Sequence, residues 1–574
     1  MAGSVDAEKK GSPISEPEVL SIDRRVEDDA VDRVYDLKSE LVNQCLQDEI
    51  GMGRYQWELF LLSGFGWMAD NIWLQGVAII LPSIEREMQP DHIAFVTLSL
   101  YVGLIVGATT WGVLADVIGR RLSWNITLFL SGVFGIAAGA SHNFVTLGSL
   151  VACLGFGIGG NLPVDGALFL EFIPGSHQWL LTLLSAWWSF GQLAASLIAW
   201  GFISHYSCIS DVSQPCPKNE NQGWRYTLQL YPRSYDLCNV LGTLCYIQST
   251  GITQISTCQG ARSRSHQSTC SSFRIESLHS IAQQVLQYVA KRNGRTISLT
   301  VEQFQAVNDR YASSEQLITH KTGTGALVRA LKGVDLSHVK PLFSTPTLAL
   351  NTSLTIACWG LIGLAYPLYN AFLPIYLKQR SVSQGSGTID ETYRNYSIIS
   401  VLGIPGSIIA CIMVDWTRGG GKWSFGGRKF AMAISTCLTG VFLFLFTQAK
   451  NEAAVLGFNC TSALTQNAMY GVLFAYTPEV FPAPHRGTGD AICSAVNRIT
   501  GLMAPIIATY GDLTTNAPLF VAASLFIVTS LLMLFLPIEA NCWKGCNIAL
   551  ALPKNVRYCD VSLHACKCSS ISCS

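Results

Sequence analysis

The sequence predicts an all-α membrane protein of twelve transmembrane helices arranged as two six-helix pseudo-repeats. Three observations predict it. Apolar stretches of about twenty residues, the length that crosses a hydrocarbon core, recur along the chain. Only 13% of the 574 residues are charged while 49% are hydrophobic, and the mean hydropathy is +0.32. Short polar motifs also repeat at one fixed offset between the halves.

The spans fall at 59–81, 93–115, 124–142, 145–170 and 179–203, and then at 348–377, 396–414, 429–448, 453–477, 489–511 and 517–537. A sixth span, over 227–249, is the least well formed, because Pro232, Arg233 and Asp236 fall inside it. The chain then divides into a disordered cytosolic tail (1–56), a first half (57–249), a central cytosolic loop (250–345), a second half (346–538) and a Cys-rich tail (539–574). The first segment is acidic, basic and Ser-rich with no apolar core, so the first span itself directs insertion. Helical apolar spacing at Ile281 to Ala290 predicts a surface helix in the central loop.

Lys and Arg in the joints set the orientation. Arg120 and Arg121 follow span two, the 250–345 loop is basic, and Arg418, Lys422, Arg428 and Lys429 follow span eight. Both termini are expected in the cytosol, although Lys378, Arg380 and Arg394 dissent. The 204–223 joint then faces outside, where a disulfide between Cys208 and Cys216 is plausible beside the alternative of two free thiols.

The repeat is visible in two echoes. Gly119-Arg120-Arg121 returns as Gly427-Arg428-Lys429, and Glu171-Phe-Ile-Pro174 as Glu479-Val-Phe-Pro482, both 308 positions later. Asp116 and Asp415 match less regularly, at 299, because a Gly-rich insertion separates Asp415 from Arg428. Duplication of this kind marks a two-half membrane carrier.

The run Gly112-Val-Leu-Ala-Asp116-Val-Ile-Gly119-Arg120-Arg121 resembles the loop signature of the major facilitator superfamily. The runs Gly157 to Pro174, Tyr476 to Pro482 and Arg486 to Gly489 are similar to fungal transporters related to synaptic vesicle glycoproteins, a branch close to the sugar porters. The resemblance covers about 55–230 and 340–540. It implies alternating access, with spans one, four, seven and ten lining a central cavity and span eleven beside it. The chain departs from the pattern at Gln178, where the family has an Arg, so Glu171 must take Arg120 or Arg121 as partner. It departs again in the Ser-, Gln-, Thr- and Cys-rich stretch to about Ser272 and in the Cys-rich tail, which read as misread exon boundaries rather than a lipidated or metal-binding segment.

Asp70 stands near the middle of span one, where a charged side chain costs about 2.5–3.5 kcal/mol. That cost marks it as the first candidate for proton coupling, with Asp165 the second; the alternative is a structural carboxyl bonded to a neighbouring helix. Arg498 lies inside span eleven and would pair with Asp165 or Asp70 or meet an anionic substrate. Asn161, Trp187, Trp188, Gln192, Trp359, Tyr366, Tyr369, Asn370, Asn467, Tyr470 and Asn497 complete a candidate substrate set of rings and amides, suited to polar organic solutes. Each Trp or Tyr is equally a residue that bilayer interfaces enrich. Asp116, Gly119, Arg120, Arg121, Glu171, Asp415, Arg428, Lys429, Glu479 and Arg486 lie at cytosolic helix ends, as gating pairs or as simple anchors.

Nothing supports an enzyme. Gly419-Gly-Gly-Lys422 lacks phosphate-loop spacing, and there is no nucleophile elbow and no His-based metal pair. The expected function is secondary active transport of a small organic solute, sugar-like or an organic ion, by a monomer driven by protons without a cofactor. The alternatives are a proton-antiport exporter and a non-transporting membrane protein or damaged gene product. The expected partners are the solute, protons and the lipid bilayer of a plasma or vacuolar membrane. Zero net charge recommends no nucleic acid.

Overall fold

The computed structural model describes residues 41–118, 120–160, 172–174, 179–208, 216–232, 271–303, 339–383, 389–415, 417–418, 425–481, 486–510 and 515–538, with isolated positions between them. The first four spans are α1 (Arg54–Met88), α2 (Ala94–Ile118), α3 (Arg120–Gly139) and α4 (Phe144–Ile158). Span five is α5 (Trp179–Leu183) with α6 (Ser185–Ile203), and α7 (223–232) opens span six. The expected defect beyond Pro232 lies outside the described residues. The central segment contributes α8 (Ser271–Arg292), which contains the apolar spacing at 281–290. In the second half, span seven is α9 (Pro346–Asn370) with α10 (Leu373–Ser383), and span eight is α11 (Ile389–Asp415). Spans nine to twelve are α12 (Gly427–Thr447), α13 (Glu452–Val480), α14 (Arg486–Tyr510) and α15 (Ala517–Leu534). A two-residue ribbon, Thr417–Arg418 against Phe425–Gly426, bridges α11 and α12.

Seven of the described helical segments are long and apolar enough on their own to cross a bilayer. The longest two, α1 and α13, fall below that hydropathy because they carry polar residues mid-helix: Asp70, Asn71 and Gln75 in one, Asn459, Gln466 and Asn467 in the other. The polar residues therefore concentrate on a few helices rather than being spread over all. The repeat extends to local chemistry. Asn143 caps α4 by accepting the Thr146 N–H at 2.8 Å, and Asn451 caps α13 by accepting that of Ala454 at 3.0 Å. These caps satisfy otherwise orphaned backbone donors and again stand 308 positions apart.

Two spans differ from the sequence reading. Span seven is broken at Ala371 and Phe372, because Pro374 has no N–H to give the carbonyl of Asn370. Span eight begins earlier than expected, at Ile389, so that Arg394 belongs to the helix. Lys378, which dissented from the orientation count, meets Glu85 of α1 at 3.5 Å.

Within the halves α1 packs on α6, α2 on α4, α9 on α14 and α11 on α13; between them α6 meets α11 and α2 meets α14. The α2–α4 contact is the closest approach of backbones. A Cβ on Gly103 would stand 2.0 Å from the Ala152 carbonyl oxygen, and one on Gly155 2.4 Å from that of Leu100. Gly107 and Gly159 repeat the pattern one turn on, at 2.3 Å from Phe156 O and 2.5 Å from Leu104 O. Small residues four apart let helices interlock where lipid supplies no hydrophobic drive. Gly155→Leu is expected to cost at least about 1–3 kcal/mol, the usual cost of overpacking, read as a lower thermal unfolding midpoint in detergent. An unchanged midpoint would mean that the two helices separate freely.

At the end of α1 that carries Arg54, the strap side, residues 45–58 interlock with 285–299. Leu46 and Ile50 share an apolar cluster with Val285, Leu286 and Val289. The Asn293 Oδ1 accepts the Tyr55 N–H at 3.0 Å, and Arg292 pairs with Glu58 at 3.0 Å. Burial and the neighbouring Glu49 push the Cys45 thiol up to about 12, leaving it unreactive. Hydrogen bonds from the Ser298 hydroxyl and N–H, the latter at 2.7 Å, hold the Glu49 carboxyl below its usual range. A depressed carboxyl contributes stability above its unfolded pKa and loses it as pH falls through its folded value. Amide protection over 292–303 is therefore expected to fall on acidification below the ordinary carboxylate range. In Glu49→Ala it should already be low at neutral pH; equal protection in variant and wild type would remove Glu49 from the strap.

Candidate functional site

Four helices from both halves bring their rings together near the middle of the bundle. Trp67 (α1) and Trp188 (α6) meet edge to face at 6.0 Å between centroids. Phe474 (α13) lies 4.9 Å from Trp67 and 4.8 Å from Trp359 (α9). Tyr470 (α13) is 5.3 Å from Trp188 and 5.1 Å from Tyr366 (α9), which in turn stacks on Trp188 at 6.4 Å with planes 16° apart. Edge-to-face and offset contacts of this kind are the favourable ones for ring quadrupoles. The cluster crosses the boundary between the halves, so substrate-sized rearrangement here and relative motion of the halves are one event.

The charged partners sit one turn from these rings. Asp70, three residues after Trp67, is 2% exposed. Asp70 and Arg498 of α14 act on each other electrostatically. Arg498 donates one guanidinium nitrogen to two backbone carbonyls of the first half, Leu104 at 3.2 Å and Gly159. Tyr101 of α2 interacts with both Arg498 and Tyr366 and so links the guanidinium to the rings. A cavity of about 20 Å³ between α1, α2 and α9 is lined by Gln75, Thr97, Tyr101 and Tyr366 among others; it has room for one or so water molecules. Gln75 donates to the Tyr366 hydroxyl at 2.9 Å and accepts from that of Tyr396 at 2.6 Å. The Asn71 amide donates to the Trp188 carbonyl at 2.6 Å, fixing α1 to α6.

The remaining sequence-predicted residues sort by position. Asn370 donates to the Gln466 side-chain oxygen at 2.9 Å, one turn from Tyr366 and Tyr470. Gln192 contacts Tyr396. Trp359 donates to the Thr477 hydroxyl at 2.8 Å while its carbonyl accepts from Asn497 at 3.1 Å. Three stand away from the rings. Trp187 packs on Phe65 at 4.9 Å, Tyr369 donates to Asn459 inside the second half, and Asn467 faces Gly403 across the α11–α13 contact. Asn161, Asp165, Gly119 and Glu171, and the side chains of Asp116, Arg120, Arg121, Asp415 and Arg486, lie outside the described residues.

Arg428 and Glu479 pair at 2.6 Å with side chains 5% and 7% exposed. The pair joins α12 to α13 within the second half, so it does not itself cross between halves. At the far ends of the helices, Arg225 binds Glu87 through two nitrogens, at 2.8 Å and 2.6 Å, with Trp224 and Asn221 donating to the same carboxylate. The loop above it carries the Cys208–Cys216 disulfide, with Cα atoms 6.0 Å apart, and its Cys216 N–H bonds the Arg86 carbonyl at 3.1 Å. Sequence reasoning missed Glu87 and Arg225, as it missed Asn71, Gln75, Tyr101, Phe474 and Gln466.

A bundle of two repeats with a buried carboxylate, a guanidinium acting on it and a ring cluster at their junction fits a membrane solute carrier. The family model described as Major Facilitator Superfamily matches residues 59–230. The chain is 41% identical over 550 residues to a protein named MFS siderochrome iron transporter 1 of Ceriporiopsis subvermispora, covering 93% of this chain and 97% of that one. It is 37% identical to the major facilitator-type transporter hxnZ of Emericella nidulans, covering 88% of each. The structure of the proton:xylose symporter XylE superposes with a TM-score of 0.58 at 16% identity, covering 84% of this chain and 96% of that one. The chain belongs to the major facilitator superfamily; it is a multi-pass membrane transporter of small solutes and not an enzyme.

Removing one partner of a buried ion pair costs about 3–5 kcal/mol, whereas apolar replacement of both is often neutral. Arg428→Met is therefore expected to destabilise the detergent-solubilised protein strongly, and Arg428→Met with Glu479→Met to recover most of the loss. A double variant as unstable as the single one would assign the cost to packing instead.

Proposed function

We propose that the protein accumulates a small organic solute by alternating access, coupled to protons through Asp70, with both termini cytosolic in a plasma or vacuolar membrane. The observation that carries this reading is the electrostatic interaction of the buried Asp70 with Arg498, across the junction of the halves beside the ring cluster. A titrating group drives a conformational cycle only if its proton affinity differs between the two states. Asp70 meets that requirement because its partner sits on the other half: when the halves move, α14 carries Arg498 with it. The carboxylate is then stabilised in one arrangement and exposed to desolvation in the other.

The names of relatives span a siderochrome transporter, an organic cation/carnitine transporter of Arabidopsis thaliana and a niacin transporter of Acinetobacter baylyi. They support an organic solute without selecting one. The rings of Trp188, Tyr366 and Tyr470 support a substrate with a flat face, and the amides of Asn370 and Gln466 a polar edge.

Asp70→Asn keeps shape but fixes the site neutral. Accumulation driven by a pH gradient into proteoliposomes is expected to vanish, while exchange of internal for external solute survives. Asp116→Asn should slow turnover and leave the dependence on the proton gradient intact. Wild-type accumulation by Asp70→Asn would move the coupling role elsewhere, first to Asp165.

A further inference from the structure

The hydrogen-bonding capacity left around the rings is lopsided. Among the described residues, Trp67 Nε1, Trp188 Nε1 and Gln466 Nε2 are buried donors with no acceptor. Their residues are 1%, 8% and 4% exposed. The unpartnered Asn71 Oδ1 is an acceptor, and the Ser189 hydroxyl can serve either way. A buried donor left unsatisfied costs about 1–3 kcal/mol, so two of them on the ring cluster and a third one turn from Tyr470 mark a place meant for an acceptor. Arg498 adds a guanidinium of which one nitrogen is held by Leu104 and Gly159.

We infer that the substrate is a planar aromatic monocarboxylate, taken up with one proton in an electroneutral cycle: the ring lies against Trp188, Tyr366 and Tyr470, the carboxylate takes the indole N–H groups and Arg498, and the proton rides on Asp70. The inference rests on the proton-coupled transport proposed above and names its substrate class. Charge accounting requires the pairing of ion and proton. With Asp70 ionised, Asp70 and Arg498 together are neutral. A carboxylate entering beside them would leave a net negative charge in a medium that cannot solvate it. Protonation of Asp70 removes that charge and frees Arg498 for the substrate. After release, Asp70 loses its proton to the same side and returns to Arg498. A neutral solute would need no proton, and a cation would have to displace Arg498 from Asp70. The titratable and charged groups that face this exchange are Arg498 from α14, Tyr101 from α2, and Tyr366 and Tyr470 from α9 and α13; α6 contributes Trp188 and Gln192, which do not titrate.

The test is equilibrium binding to the purified full-length protein, with benzoate as probe and benzamide and benzylamine as its neutral and cationic counterparts. Benzoate is expected to bind and to quench tryptophan fluorescence, and the other two to fail as competitors. Calorimetry in buffers of different ionisation enthalpy should show one proton taken up per benzoate. Affinity should then fall by up to about tenfold per pH unit above neutrality, the limit for one linked proton. Asp70→Asn should bind benzoate with no proton uptake and with affinity changing less than roughly twofold over the same range. Trp188→Phe keeps the ring and deletes the donor; it should weaken benzoate about tenfold, as a lost hydrogen bond to a charged group does. Benzamide binding as tightly as benzoate, or benzoate binding without proton uptake, overturns the inference. Benzoate binding with one proton but no accumulation under a pH gradient supports the substrate class and removes the transport reading instead.

Discussion

The buried carboxylate of Asp70 and the partly buried guanidinium of Arg498 that acts on it constrain everything around them. Each alone would cost several kcal/mol to bury, and together they are tolerated only with close geometry and satisfied remaining atoms. For Arg498 the fold supplies partners from the other half. Arg498 comes from α14 but is held by the carbonyls of Leu104 and Gly159 in the first half. That approach is possible only because Gly103, Gly107, Gly155 and Gly159 bring α2 and α4 into backbone contact. The glycine ridge therefore has two effects at one place. It packs the first half, and it presents carbonyl oxygens to a cation that belongs to the second.

Much of this was legible in the residues. Span positions follow from apolar length, because no other arrangement satisfies backbone groups in lipid. Asp70 stood out because its insertion cost demands a reason, and Arg498 because a lone Asp needs a counterweight. The reading could not decide between Asp165 and Asp70 as its partner, since a helix sequence gives a face but not the rotation of its neighbour. Neutral residues escaped for a different cause. Gln75 and Asn71 cost little enough to pass as ordinary span residues, and Phe474 is indistinguishable from lipid-facing rings until Trp67, Trp188 and Trp359 are seen around it. Glu87 and Arg225 look like interfacial charges in one dimension; they are buried only because α1 and α7 end beside each other. The same ambiguity affected Trp187, Tyr369 and Asn467, whose residue types suit a cavity but whose helix faces turn to other neighbours.

The bonds of the molecule fall into two strengths that divide along the repeat. Inside the halves are buried ion pairs, Arg225 with Glu87 and Arg428 with Glu479, at 2.6 Å each. Between the halves, apart from Arg498, the described contacts are neutral or partly exposed. They include Gln75 with Tyr366 and Tyr396, Tyr393 with the Ile79 carbonyl at 3.1 Å, Ser185 with Ser407 at 2.8 Å, Trp200 with the exposed Asp390 at 2.7 Å, and the partly exposed ion pair of Lys378 with Glu85 at 3.5 Å. A neutral hydrogen bond contributes about 0.5–1.5 kcal/mol net, whereas breaking a buried ion pair costs about 3–5 kcal/mol. A force large enough to part the halves therefore leaves each half intact. Movement of the halves as rigid bodies would be in keeping with this ordering. The electrostatic interaction of Asp70 with Arg498 also lies between the halves. Under the coupling proposed above, a proton on Asp70 would act on the relation between the halves, while a proton on Glu479 would loosen one half.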